Sequence, residues 1–249
     1  MPEAPIFIMR GVSIGLGPGP HLAIDESGAI KFSAQWEFWY DVAPTWLKLA
    51  LEQARVADAC RRDRIVAWNE TDDQRKASAL ERECTASMQA TMSAAIAVDA
   101  LYASVHPLVA LPESQIDTWR RKKTARPVQI SETLRRAFKL SQRNAGEVRN
   151  NLNQLFKHRD MAVHPKAHLQ PAVLHPELGV GIEWRFDAFR SHNACLFVTS
   201  TAALYWFLTH HAKSTTEKLA AYVKNLAVFV EKILPAGCPP VAPSMPGEA

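Results

Sequence analysis

The stretch NAGEVRNNLNQLFKHRDMAVHP, residues 144–165, carries the clearest pattern in the chain. Val148, Leu152, Leu155, Phe156 and Val163 recur at spacings of three, four and seven, which lines them up as one apolar stripe of a helix over 144–163. Pro165 directly follows His164; it biases that residue away from helical geometry and ends or kinks the helix there. The imidazole of His164 is thereby free to point where a continuous helix could not aim it. Arg159 lies four residues after Leu155, three after Phe156 and four before Val163, so a guanidinium sits on the core-facing stripe. Burying such a charge costs several kcal/mol unless it is paired and hydrogen-bonded or opens onto a wet cleft.

A second oddity matches the first. The spacing of Met88, Met92, Ala95, Tyr102 and His106 predicts one face of a long helix, about Ala77 to Val105, that His106-Pro107 ends. Asp99 falls on that face. A carboxylate on one stripe suits an arginine fork on another, so Asp99 is expected to orient Arg159. The alternative is that both lie at stripe margins and reach water through their own side chains.

Working outward, short strands are expected at Ile6–Met9, Ser13–Leu16, Leu22–Ile24 and Ala29–Phe32, separated by Gly and Pro turns. Residues 1–33 therefore read as a small β appendage on a mainly α chain, with a helical domain over 34–234. From Gln35 helical periodicity takes over. Pro44 opens a helix to about Arg62, with Trp46, Leu49, Ala50, Gln53 and Val56 on one face. The charge-rich run Asn69–Lys76 precedes the long helix. After a Pro-containing loop and a basic stretch, a helix is expected over Ser131–Leu140, capped by the Ser131 hydroxyl. Alternation at Val180, Ile182, Trp184 and Phe186 reads as a strand, followed by helices over Ser191–His211 and Thr215–Leu234. The tail from Pro235 holds five prolines in fifteen residues and is expected to be disordered.

Composition narrows the function classes. Hydrophobic residues make up 47% and charged residues 22%, an ordinary globular balance. Residues 191–212 hold no Asp, Glu, Lys or Arg, but Thr199, Ser200 and Thr201 interrupt them; a buried core helix fits better than a membrane span. The N-terminal residues do not read as a secretory signal. Cys60, Cys84, Cys195 and Cys238 form no C-x-x-C pair, so a reducing, cytoplasmic setting is expected. Residues 119–166 hold 13 Lys and Arg against three acids, a balance of +10, in a chain whose net charge is +4. Such a stripe attracts polyanions, although any single run within it can also be a solvated helix face.

The run Arg159-Asp160-Met161-Ala162-Val163-His164 resembles the signature of HEPN domains, an Arg followed by four to six residues, the first of them polar, and then His. The Ala-rich stretch Ala90–Tyr102 resembles the family's first bundle helix, and the motif helix Leu152–His164 and the apolar helix Ala194–Leu208 follow in the family's order. The resemblance covers about residues 77–212. It implies an antiparallel helical bundle, and in many members a metal-independent endoribonuclease needing no cofactor. It further implies Arg159 and His164 as catalytic residues, Asp160 in support, a homodimer whose two motifs face one cleft, and a toxin or antiviral defence role held in check by a neutralising partner protein. The residue after the Arg is often Asn in the family and is Asp160 here. The chemistry is coherent, because RNA carries its own nucleophile in the 2′-hydroxyl, His moves protons near neutrality and Arg offsets phosphorane charge. Arg120, Arg121, Lys122, Lys123 and Arg126 are the expected RNA-binding cations, and Trp119 either stacks on a base or fills the core.

Two rivals stand beside this reading. His158, His164, His168 and His175 lie close in sequence and could suggest a metal, but Pro165 breaks the helical spacing of His164 and His168 and no intervening Glu supplies a base. The stronger rival is a non-catalytic, dimeric module that binds RNA or a nucleotide, or acts as a scaffold. No G-x-x-x-x-G-K or G-x-G-x-x-G motif is present.

Overall fold

The computed structural model describes residues 12–16, 21–24, 27–33, 36–164 and 170–238, and the chain divides into two units, Met1–Val42 and Ala43–Ala249. The expected strand Ile6–Met9, Pro165, His168 and the tail beyond Cys238 lie outside the described residues.

In the first unit the strands are β1 (Val12–Leu16), β2 (His21–Ile24), β3 (Ile30–Ser33) and β4 (Trp36–Tyr40). β1 pairs antiparallel with β4 in the register Val12↔Tyr40, and β2 with β3 in the register His21↔Ser33, so one hairpin nests inside the other. Gly28 turns between β2 and β3 with a φ of 79°, a conformation that a side chain disfavours. β4 corrects the expectation of helix from Gln35. Its run of aromatic residues has strong strand propensity, and pairing with β1 overrides the local helical spacing.

The second unit is helical, and its helices are α1 (Ala43–Trp68), α2 (Asp73–Val105), α3 (Glu113–Lys122), α4 (Arg126–Ala137), α5 (Gln142–Val163), α6 (Trp184–Ala188), α7 (Ser191–His210) and α8 (Glu217–Ile233). α1 and α2 pack along each other, and α7 lies against both. Small residues allow that approach. Ala43, Leu47, Ala50, Ala54 and Ala57 of α1 are buried, as are Ala86, Ala90, Ala94 and Ala97 of α2. The expected α1 face is thus rotated, because Val56 is exposed while the alanines point inward, where they fit a closely approaching helix. Asp72 caps α2 by accepting from the amides of Gln74 (2.9 Å) and Arg75 (3.2 Å). The charge-free α7 buries Ala194, Val198, Ala202, Tyr205 and Leu208. Tyr205 Oη donates to the Ala97 carbonyl at 2.7 Å, pinning α7 to α2. Among the described residues no helix is long and apolar enough to cross a membrane.

The basic stretch, for which the sequence pattern named no element, closes α3, ended by Lys123 at a left-handed φ of 48°. Two further expectations are corrected. Ser131 is not a cap; α4 begins earlier, at Arg126 with Pro127 in its first turn, and buried Ser131 donates to the Val128 carbonyl from the helix interior. The alternation after Val180 yields only the two-residue strand β6 (Gly181–Ile182), paired with β5 (Val173–Leu174). Glu183 then caps α6 by accepting from the Arg185 amide at 3.0 Å.

A buried ion cluster fastens this hairpin. Arg64 of α1 is 0% exposed and pairs with Glu83 of α2 and with Glu177 at the hairpin turn. Glu83 also accepts from the Ser191 amide at 3.0 Å, and Arg61 donates to Glu177 at 3.1 Å. His175 is buried in the same cluster, with Nδ1 accepting from the Glu177 amide at 3.2 Å and Nε2 bonded to no group among the described residues. Burial pushes its pKa below the usual 6.5, and Arg64 and Arg190 add to that against Glu177 and Glu83. The unfolded chain therefore takes up this proton first. The stability from neutral His175 is complete above about pH 6.5 and is lost as the pH falls from there through the lower folded pKa. Thermal melts at pH 7.5 and 5.5 should show an acid-side fall that His175→Gln flattens. An identical fall in that variant would remove His175 as the cause.

Candidate functional site

The last three turns of α5 present a polar face beside the buried one. Leu152, Leu155 and Phe156 pack into the core, while Asn153, Lys157, Asp160 and His164 follow at spacings of four, three and four along an adjacent face. That face opens on a cleft of about 730 Å³. Opposite walls come from Ala125, Arg126 and Pro127 at the start of α4, from Gln170, and from Trp184 at the start of α6. Arg159, Asp160 and His164, which the sequence singled out together, all line this one cleft.

Arg159 is not sealed in the core. Its Cα shares the helical face of Leu152, but its side chain is 30% exposed and folds over the Phe156 ring, with Cζ 4.5 Å from the centroid. Nε and Nη2 donate to the same oxygen, Asp160 Oδ1, at 3.0 and 2.7 Å. The cost of a fully buried guanidinium is avoided because the long stem covers apolar surface while the head stays wet. His164 is exposed just past the helix end, at φ −120° and ψ 74°, with its amide donating to the Asp160 carbonyl at 2.8 Å.

The expected pairing of Asp99 with Arg159 does not form. Asp99 Oδ1 accepts from Arg126 Nε at 2.6 Å, and the Arg126 guanidinium also lies over Tyr102, 4.1 Å from the ring centroid. The physical reason is proximity: Arg126 opens α4 against α2, whereas Arg159 has a carboxylate one residue away. Both members of the Asp99–Arg126 pair are 37% exposed, so it contributes little to stability, at most about 1 kcal/mol. Asp99→Ala is expected to shift a urea melt by no more than that; a loss of about 3 kcal/mol or more would assign Asp99 a core role that its exposure does not suggest.

Of the five cations expected to bind RNA, Arg126 lines the cleft. Arg120, Arg121 and Lys122 form the exposed end of α3, and Lys123 follows them. Much of the basic segment is internally neutralised, with Arg120 on Asp117, Arg143 on Glu147, and Arg135 and Arg136 on Glu132. Hydrogen bonding from Arg135, with Arg136 assisting and partial burial opposing, holds the Glu132 carboxyl at about 2. Arg121, Lys122, Lys123, Lys139, Arg149 and Lys157 make no ion pair among the described residues, and of these Lys157 lines the cleft. Trp119 is buried and belongs to the core.

His158 serves packing, and His175 belongs to the ion cluster. His158 lies 4.6 Å from the Phe197 ring centroid, with Nδ1 against the Gln154 carbonyl at 2.9 Å, and burial lowers its pKa. Among the described residues no group of three His, Cys, Asp or Glu side chains gathers into a metal-binding set. Asn153, Lys157, Gln170 and Trp184 are the cleft residues that sequence reasoning missed. The spacing of 153, 157, 160 and 164 would have found the first two; nothing in the sequence placed Gln170 and Trp184 beside them. No family model, curated protein or solved structure matches the chain.

Proposed function

We propose that this chain is a HEPN-like protein that binds RNA in the α4–α5–α6 cleft and cleaves it without a metal. The observation that carries this reading is the shared cleft: Arg159 and His164 line it together, with Lys157 adding a positive charge that no carboxylate among the described residues pairs and Arg126, bonded to Asp99, beside them. The helix order supports it too, with Ala-rich α2, motif-bearing α5 and apolar α7 in succession. In the proposed reaction the 2′-oxygen forms a bond to the adjacent phosphorus and the P–O5′ bond breaks. The products are a 2′,3′-cyclic phosphate and a 5′-hydroxyl, and the 2′-proton is balanced by one delivered to O5′. His164 exchanges a proton at one of these oxygens, and Arg159 offsets the charge that builds on the phosphorane. A homodimer would bring two such motifs to one cleft, and a neutralising partner protein would restrain a toxin or defence activity of this kind.

The bonds that tie Arg159 to Asp160 favour a second reading, a dimeric RNA- or nucleotide-binding module without catalysis. Incubation of purified protein with total RNA and a chelator separates the two. Cleavage to 2′,3′-cyclic phosphate ends is expected; intact RNA bound by the protein would leave the binding module.

A further inference from the structure

The cleft is more than a patch of charge. Lys157 of α5 and Arg126 of α4, the latter also bonded to Asp99, face it from opposite walls, while Trp184 supplies an indole and Asn153 and Gln170 supply amides. Trp184 is only half-buried, although it opens a short helix that leads directly into the core residue Phe189. The Arg185 guanidinium lies over the indole, 5.3 Å from the ring centroid, and the other face of this large aromatic is left for a base at the wall of a cationic cleft. Every base has a π-face that stacks on an indole, and its edge offers donors and acceptors to carboxamides.

Size and shape narrow the ligand further. A cleft of about 730 Å³ falls within the range that encloses one small molecule, not a duplex. In A-form RNA the bases are stacked and the major groove is too deep and narrow for side chains to read. An indole at the wall of such a cleft reaches a base only when that base is unstacked.

We propose that Trp184 is a base-stacking subsite that takes one unstacked nucleotide of single-stranded RNA, with Asn153 and Gln170 at the base edge and Arg126 and Lys157 on the flanking phosphates. This rests on reading the cleft as an RNA site, and it adds to that reading where the strand is gripped and in what form. The ion cluster at Arg64, Glu83 and Glu177 has a place in this scheme: it fastens the β5–β6 hairpin, whose chain runs on into Trp184.

The test is equilibrium binding, not cleavage. A fluorescently labelled 2′-O-methyl RNA oligonucleotide lacks a free 2′-nucleophile and reports affinity alone, as a single strand and as a duplex of the same sequence. Trp184→Leu removes the π-face and keeps apolar volume, and Trp184→Phe keeps a π-face; thermal melting confirms that both fold. Trp184→Leu is expected to weaken single-strand binding by about 5- to 150-fold, the range for loss of one base–aromatic stack. Trp184→Phe should stay within about threefold of wild type, and duplex binding should be the same in all three proteins. Equal affinity of Trp184→Leu and Trp184→Phe for the single strand, or a duplex that binds as tightly as the single strand and loses as much in Trp184→Leu, overturns the subsite. A protein that binds in this pattern yet leaves RNA intact retains the subsite and loses the nuclease. One that cleaves RNA with Trp184→Leu indistinguishable from wild type retains the nuclease and loses the subsite.

Discussion

His164→Ala is expected to reduce RNA cleavage by about 10²- to 10⁴-fold, the usual contribution of one positioned acid–base group. Binding of a 2′-O-methyl oligonucleotide should be unchanged. The imidazole is exposed beyond the end of α5, so its removal opens no cavity and the melting temperature should hold. Arg159→Ala should reduce cleavage by about 10²- to 10³-fold through loss of transition-state charge stabilisation. It also removes a cover from Phe156 and leaves Asp160 unpaired in the cleft proposed to take RNA, so some binding is expected to be lost with it. The informative comparison is therefore single-turnover cleavage set against affinity, with RNA in excess of its dissociation constant. Both variants cleaving at the wild-type rate would end the catalytic assignment, whatever they did to binding.

Glu83→Ala should be the most destabilising single change, about 3–5 kcal/mol, because it strands the fully buried Arg64 without its main partner. It also deprives the Ser191 amide of an acceptor at the start of α7. For a domain of this size, each kcal/mol moves the melting temperature by about 2–4 °C, so a fall of about 6–20 °C is expected. Glu177→Ala should cost less, since Glu177 is partly exposed and Glu83 still holds Arg64. The double variant Arg64→Met, Glu83→Leu should recover much of the loss, because replacing both charges removes the desolvation penalty along with the attraction. Matched melts of the single and double variants decide this. A Glu83→Ala protein as stable as wild type would mean that the cluster is hydrated and contributes little.

Helix periodicity made α2, α5, α7 and α8 readable to within a few residues, since each buries an apolar face that repeats with the helical period. Features set by contact with distant chain were not readable. Arg64 lies in the run Arg61-Arg62-Asp63-Arg64, which looks solvated, and only the approach of Glu83 and Glu177 permits its burial. α3 has little apolar pattern beyond Ile116 and Trp119, so periodicity marked no helix there. Trp184 fitted a strand alternation that the Glu183 cap converts to a helix.

The local order of side chains by itself determined a helical chain, a helix that stops before Pro165, and Arg159 and His164 near that stop, because periodicity and proline act over neighbouring residues. Tertiary packing decided which carboxylate each guanidinium meets: Asp99 goes to Arg126, and Arg159 turns to Asp160. It also decided which walls close the cleft, since α4, α5 and α6 meet there only when residues far apart in the chain are brought together by burial of a common core.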